Sequence, residues 1–223
     1  MDLIDRKLHL DKVIERIEFA RVCVNQHHIV KTVAISKYSK SEDIKDLYEI
    51  GVRAFGENKV QDLETKSKEL EELPLEWHFV GSLQKNKINK LIALDPYLCH
   101  SLDSLELALA LDQRLEASST TMNALLQINS ANETTKSGVS KEEAKDIYQQ
   151  ISESCKNINL KGVMSIGAHS EDEKLIRKSF QDTYKIYDSL DQATICSMGM
   201  SGDFEEAIRC GSNMVRLGSI LFK

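Results

Sequence analysis

Eight short, β-rich runs recur along this chain of 223 residues, and longer amphipathic stretches separate them. Runs such as VAIS, ALLQI and VMSI are apolar on both faces, which suits parallel strands that are covered by helices. Strands that alternate with helices in this number are typical of a closed barrel. The sequence therefore predicts an α/β fold, a single (β/α)8 barrel of the TIM type with an extra N-terminal helix.

The predicted strands cover residues 32–36, 52–55, 77–81, 97–99, 124–128, 162–166, 194–197 and 214–217. The predicted helices cover residues 3–24, 42–50, 57–72, 84–94, 104–116, 140–154, 171–190 and 203–210. The leading helix is expected to replace the outer helix that is missing after the last strand. An open doubly wound sheet is the alternative, although the turn after Ser36 lacks the glycines that such a sheet favours. Because no linker or composition shift divides the chain, residues 1–223 are expected to form one domain.

Charge and cysteine usage indicate a cytoplasmic globular protein. The net charge of −6 argues against a nucleic-acid or membrane partner, although it leaves room for a local basic pocket. The sequence has no apolar run of the roughly 18 residues that a membrane span needs. The five cysteines form no C-x-x-C pair, so free thiols in a reducing compartment are expected. The six histidines show no metal-ligand spacing, and no metal site is predicted.

A lysine follows the first predicted strand directly. Functional side chains of such barrels lie where the strands run into the following loops, so Lys37 is expected at the barrel mouth. Burial of its stem along apolar walls would lower the pKa of the amine and prepare it for a Schiff base with an aldehyde. The alternative is an ordinary solvated lysine on the surface.

A glycine-containing segment, S-M-G-M-S-G-D at 197–203, joins the seventh strand to a helix. Gly202 lets backbone amides approach an anion, and Ser201 adds a hydroxyl beside the start of the helix. A phosphate group would fit this loop. The alternative is an ordinary connection in which Asp203 caps the helix.

The eighth strand, in M-V-R-L-G-S at 214–219, carries a charge within an apolar run. Inside a barrel strand, Arg216 needs a partner or a ligand. Gly218 and Ser219 follow it at the end of the strand. Loops after strands seven and eight often hold a phosphate in such barrels, so this segment and 197–203 support the same site.

Four further residues are weaker candidates for the site. Asn58 is a hydrogen-bond donor for the barrel mouth or a helix cap, and His78 is a ligand contact or a core histidine. Lys136 lies in the long polar loop 128–138 and is a second amine near the mouth or a solvated side chain. Met198 lies just past the seventh strand.

Taken together, these segments resemble the pyridoxal-phosphate homeostasis protein family. The matching pieces are V-A-I-S-K, F-G-E-N-K-V-Q, W-H-F-V-G-S-L-Q-K-N-K, I-N-S-A-N-E-T-T-K-S-G, L-K-G-V-M-S-I-G and S-M-G-M-S-G-D-F-E-E-A-I-R-C-G-S-N-M-V-R-L-G, and they follow the family order. The resemblance implies an alanine-racemase-like barrel of fold type III, without a second β-domain, that binds pyridoxal 5′-phosphate (PLP). The departures are Tyr38, where the family usually has threonine, the absence of a proline after the lysine, and the abrupt end at residues 221–223.

The resemblance also implies roles for particular residues. Lys37 matches the Schiff-base lysine, Arg216 falls where an arginine faces the pyridine nitrogen, and Asn58 falls near the cofactor. The residues expected around the phosphate are Ser201, Gly202, Gly218 and Ser219.

This set of residues favours binding over catalysis. An arginine at the pyridine nitrogen makes PLP a weak electron sink, because it keeps that nitrogen unprotonated. Racemisation needs proton donors on both faces of the substrate carbon, and only Lys37 is identified. The expected function is to hold PLP as a lysine aldimine and to deliver it to PLP-dependent apo-enzymes, in vitamin B6 and amino-acid homeostasis. A monomer or weak dimer is expected.

Two enzymatic functions remain open at this point. A slow amino-acid racemase would combine Lys37 with a second base, such as Lys136 or a water. A Schiff-base aldolase without PLP would use the same lysine and the same phosphate loop.

Overall fold

A computed structural model describes residues 2–131 and 137–222 of the chain. Its strands are β1 (Lys31–Ile35), β2 (Ala54–Glu57), β3 (Glu76–Phe79), β4 (Leu98–Leu102), β5 (Met122–Ile128), β6 (Ile158–Ser165), β7 (Ile195–Ser197) and β8 (Met214–Leu217). Its helices are α1 (Leu3–Val22), α2 (Ser41–Glu49), α3 (Val60–Glu69), α4 (Ile88–Ala93), α5 (Leu105–Ala117), α6 (Ala144–Ser154), α7 (Glu173–Asp188), α8 (Phe204–Arg209) and α9 (Ser219–Phe222). Within these ranges, no helix has both the length and the apolar character to cross a membrane.

The strands form one closed parallel barrel. Each strand pairs with the next along the chain, and β8 returns to pair with β1 from Lys31 opposite Met214 to Ala34 opposite Leu217. Closure leaves the sheet without a free edge. The predicted (β/α)8 class is therefore confirmed, and the open doubly wound sheet is wrong.

The core has an inner and an outer layer. The inner cluster consists of side chains from strands alone, so it fills the barrel itself; its buried members are Val33, Ala54, Leu98, Leu125, Met164 and Met214. Two larger clusters combine strand and helix residues, such as Leu63 with Phe79 and Ile44 with Phe55. These outer clusters hold the helices against the sheet and give the loops at its carboxyl ends a rigid base.

Helix α1 packs against α2 and α8, where the eighth outer helix of the barrel would otherwise lie. Its apolar stripe is buried there, and Arg6 bridges to Asp43 and Asp46 of α2. On the other side, Arg16 bridges to Glu205 of α8. The leading helix thus takes the structural place that the sequence predicted for it.

The second strand differs from its predicted position. Residues 52–55 were expected, but the strand is Ala54–Glu57, and Val52 instead donates its amide to Leu47 O at the end of α2. Val52 packs against the cluster beneath α1, which explains why an apolar residue lies outside the sheet. The shift places Glu57 inside the strand, fully buried, rather than in the loop after it.

Candidate functional site

The carboxyl ends of the strands surround a cavity of about 890 Å³. Its lining includes every residue that the sequence assigned to the cofactor: Lys37, Asn58, Ser201, Gly202, Arg216, Gly218 and Ser219. The rest of the lining is Ile35, Tyr38, Ser39, Val80, Gly81, Ser82, Gln127, Met164, Ile166, Met200 and Phe222. The structure thus brings the predicted set together around one space, while the role of each residue toward a ligand stays a prediction.

Lys37 lies on the turn after β1, at the rim of the cavity. Its side chain is exposed, and its Nζ lies 5.0 Å from the ring centroid of Tyr38, which is itself 91% exposed. The expectation that apolar walls would bury this amine is therefore wrong. The turn carries the lysine past the end of the strand, where its ammonium lies over the exposed ring of the neighbouring Tyr38.

A buried ion pair fixes the backbone on which Lys37 stands. Lys66 Nζ lies 2.7 Å from Glu57 Oε1 and donates a hydrogen bond of 2.6 Å to the carbonyl of Ser36. The Ser36 hydroxyl donates to the same Glu57 oxygen at 2.6 Å. Because Glu57 is fully buried, this charge-assisted contact holds the end of β1 firmly to β2 and α3.

Arg216 is the buried charge of the site, with 5% of its surface exposed. Its Nη1 donates to the carbonyl oxygen of Ser197 at 2.9 Å and to its hydroxyl at 2.7 Å, while Nη2 donates to Ser165 O at 2.9 Å. Burial lowers the pKa of Arg216 to about 10, and the charge of Asp203 works in the opposite direction. The guanidinium therefore stays cationic at neutral pH and brings a positive charge to the cavity.

One serine ties the loop after β7 to the loop after β8. Ser201 Oγ accepts hydrogen bonds from the amides of Gly218, at 3.1 Å, and Ile220, at 3.4 Å. A Cβ built on Gly202 would meet no atom within 4 Å, and one on Gly218 would come no closer than 3.5 Å to Ile35 O. Local packing therefore does not demand these two glycines, and the space that they leave opens on the cavity.

Asn58 follows β2 and lies half-buried in the lining of the cavity. Asn58 is not the helix cap that the sequence offered as an alternative, because the N-cap residue of α3 is Lys59, and the Lys59 side chain makes no capping hydrogen bond. Gly81 permits this position of Asn58, since a Cβ on residue 81 would lie only 1.9 Å from the Asn58 carbonyl oxygen.

Two of the three secondary candidates fall outside the lining, and the third is not among the described residues. His78 is fully buried in β3, with its Nδ1 2.9 Å from His100 Nε2, and it does not line the cavity. Met198 is fully buried in the core between β7 and the helices. Lys136 lies outside the described residues.

The sequence reasoning missed the partners of Arg216. Ser165 and Ser197 end β6 and β7, and both are fully buried. For Ser197, whose hydroxyl meets Arg216, the available signal was a polar residue at the end of an otherwise apolar strand. Ser165 gave no such signal, because it offers Arg216 its backbone carbonyl while its hydroxyl accepts from Thr183 of α7. Gln127, the last but one residue of β5, lines the cavity and carries the same signal as Ser197.

Comparisons with known proteins place this barrel in a defined class. Residues 9–223 match the family model described as "Alanine racemase, N-terminal domain". The alanine racemase of Clostridium difficile 630 shares the fold, with a TM-score of 0.76 at 17% identity over 93% of this chain and 57% of that one.

Closer relatives cover almost the whole chain. The pyridoxal phosphate homeostasis protein of Helicobacter pylori 26695 is 57% identical over 221 residues, which are 99% of this chain and 100% of the relative. PipY of Synechococcus elongatus PCC7942, whose structure has PLP bound, has a TM-score of 0.79 at 28% identity over 93% of this chain and 100% of that one. The chain belongs to the pyridoxal phosphate homeostasis protein family.

The buried histidine of β3 gives a prediction for stability against pH. Burial, reinforced by the positive charge of Lys31, lowers the pKa of His78 from 6.5 to about 3, and its other neighbours are Glu76, Tyr97 and His100. Below pH 6.5 the unfolded chain therefore binds a proton that the folded chain does not bind. The free energy of unfolding should fall with decreasing pH down to about 3, by ~1.4 kcal/mol per pH unit for this residue.

Urea unfolding at a series of pH values measures this slope. His78→Asn should lose about 1.3 kcal/mol less than the wild type between pH 7 and pH 5.5, because the histidine that takes up a proton only in the unfolded chain no longer contributes. His27→Asn, which removes an exposed histidine, is the control and should keep the wild-type profile. Parallel profiles for His78→Asn and the wild type would contradict the assignment.

Proposed function

We propose that this protein binds PLP in the cavity at the carboxyl ends of the strands, with the amine of Lys37 joined to its aldehyde as a Schiff base. The observation that carries the proposal is the shared cavity, which an amine, a buried cation and two glycine-containing loops all line. Those groups match an aldehyde, a ring nitrogen and a phosphate, respectively. The PLP found in the related PipY supports the same ligand.

The loops after β7 and β8 are proposed to hold the phosphate. Ser201 offers its hydroxyl, and Gly202 and Gly218 leave their backbone open toward the cavity. Arg216 is proposed to face the ring nitrogen, where its charge would disfavour a proton. When bound, PLP would supply an electron sink that this charge keeps weak.

The protein is proposed to act as a carrier and protector of PLP rather than as a strong catalyst. Lys37 is exposed at the rim, so an incoming amine from another enzyme can reach the bond that it makes. Transfer of the aldehyde from one lysine to another regenerates the free amine, and the exchange needs no further residue. The recipients are PLP-dependent apo-enzymes in the cytoplasm, a location that the five free cysteines support.

Removing the amine tests the assignment of Lys37. Wild-type protein mixed with PLP should develop a visible absorption band, and Lys37→Ala should not, because no other amine replaces the bond. Lys59→Ala is the matched control, since Lys59 is an exposed lysine next to Asn58 that does not line the cavity. An unchanged band in Lys37→Ala would show that another lysine binds the aldehyde.

Removing a phosphate donor should separate PLP from its dephosphorylated form. Ser201→Ala is expected to weaken PLP binding about tenfold, the value of one hydrogen bond to a charged group, and to leave pyridoxal binding within about twofold. Ser118→Ala, an exposed serine after α5, is the control. Equal losses for PLP and pyridoxal would place the phosphate elsewhere.

Delivery is tested by mixing loaded protein, freed of unbound PLP, with an excess of an apo-aminotransferase. The bound band should decay as aminotransferase activity appears, in proportion to the PLP transferred. Retention of the band with no recovered activity would contradict the carrier role. Saturable exchange of deuterium into the Cα of an amino acid, lost in Lys37→Ala, would favour the racemase instead.

A further inference from the structure

A line of hydrogen bonds crosses the inside of the barrel beneath the cavity. His78 Nδ1 lies 2.9 Å from His100 Nε2, and His100 Nδ1 lies 3.3 Å from Ser197 Oγ. Ser197 Oγ is in turn 2.7 Å from Arg216 Nη1. Strands β3, β4, β7 and β8 each contribute one residue, and all four side chains are buried.

The chemistry of the groups fixes where the protons lie. A guanidinium can only donate, so Ser197 Oγ accepts from Arg216 and has one hydrogen to give. That hydrogen goes to His100 Nδ1, which leaves His100 Nε2 as the donor to His78 Nδ1. Both histidines are then protonated on Nε2, and in each hydrogen bond of the line the donor lies on the Arg216 side and the acceptor on the His78 side.

The lower end of the line reaches the opposite opening of the barrel. His78 Nε2 is buried without a hydrogen-bond partner, and the nearest carboxylate oxygen, of Glu76, lies 3.8 Å away. Glu76 is also paired with Lys31, whose ammonium lies 4.4 Å from the ring centroid of Tyr97. The N–H that the proton assignment places on His78 Nε2 thus lies near a negative group but makes no hydrogen bond to it.

We infer that His100 is a positioning residue for Arg216: through Ser197, it holds the guanidinium in one orientation at the cavity. The inference rests on the proposed PLP site. His78 acts one step further away by fixing which nitrogen of His100 accepts from the serine.

Neutral histidines suit this task better than a carboxylate would. Burial lowers the pKa of His100 well below its usual value, with help from the nearby charge of Arg216, so it accepts without bearing charge. Three of the five guanidinium N–H groups donate to Ser197 and Ser165, which leaves two for the cavity. The arginine is thus held in place while its full positive charge remains available to a ligand.

The proton assignment can be measured on the cofactor-free protein by nitrogen NMR. We expect His100 and His78 to carry their proton on Nε2 alone, and the Arg216 side-chain N–H signal to exchange slowly with water. His100→Leu should speed that exchange, while His100→Asn should preserve it, because the Asn oxygen replaces Nδ1 as acceptor. A proton on His100 Nδ1, or equal exchange in His100→Leu and the wild type, would overturn the inference.

PLP titration measures the consequence for the ligand. His100→Leu should bind PLP about tenfold more weakly, and the pH midpoint of its visible band should rise, because the cation no longer faces the ring. His100→Asn should stay within about twofold of the wild type. Cys99→Ala, which removes a buried neighbour on the same strand outside the line, controls for packing and should also match the wild type.

The two measurements separate two kinds of failure. If the wild type forms no band with PLP while the NMR results hold, the proposed function fails and the positioning of Arg216 stands. If the wild type forms the band and His100→Leu matches it in affinity and pH midpoint, the positioning role fails and the PLP site stands. Ser197→Ala provides a second break in the line and should behave as His100→Leu does.

Discussion

A guanidinium buried inside the barrel is the constraint on which the site depends. An unpaired charge in such a place would cost several kcal/mol, and this one is met by three oxygens from two neighbouring strands. Those contacts also serve the fold, because they add to the backbone hydrogen bonds along β7 and β8, such as Met198 N to Met214 O and Arg216 N to Gly199 O. The residue that brings positive charge to the cavity therefore also links β8 to β7 and β6 inside the barrel.

The order and number of elements followed from the sequence because each depends on local pattern. Parallel strands that are covered by helices must be apolar on both faces, and runs such as VAIS and VMSI show this without any knowledge of their neighbours. The limits of β2 did not follow, because Val52 is as apolar as a strand residue but packs, half-buried, against the cluster beneath α1 instead. The position of Val52 depends on a tertiary contact with α1, which is distant in the chain, and a local sequence pattern does not reveal such a contact.

The candidate site was predictable to the extent that topology alone places it. Lys37, Asn58, Ser201 and Gly218 follow four different strands, and a closed parallel barrel must gather such residues at one end. The direction in which each side chain points, and how deeply it is buried, were not predictable, since both depend on packing against residues distant in the chain. The sequence left His78 open between a ligand contact and a core histidine, and the structure buries it in β3 below the cavity. The amine of Lys37, which was expected to be buried, is exposed. The hydrogen bonds that hold Arg216 join residues far apart in the chain, and only the closed barrel shows them.

The two ends of the cavity are built for different tasks. At the buried end, uncharged acceptors lock the guanidinium in place, so a ligand meets a cation that need not reorganise. At the rim, the ion pair of Lys66 with Glu57 makes the backbone under Lys37 rigid while the amine itself reaches solvent. An aldehyde bound between them would be held by its ring and phosphate and remain open to attack at its reactive carbon. That arrangement is consistent with the proposed carrier, which would retain the cofactor against dilution and release it to another amine.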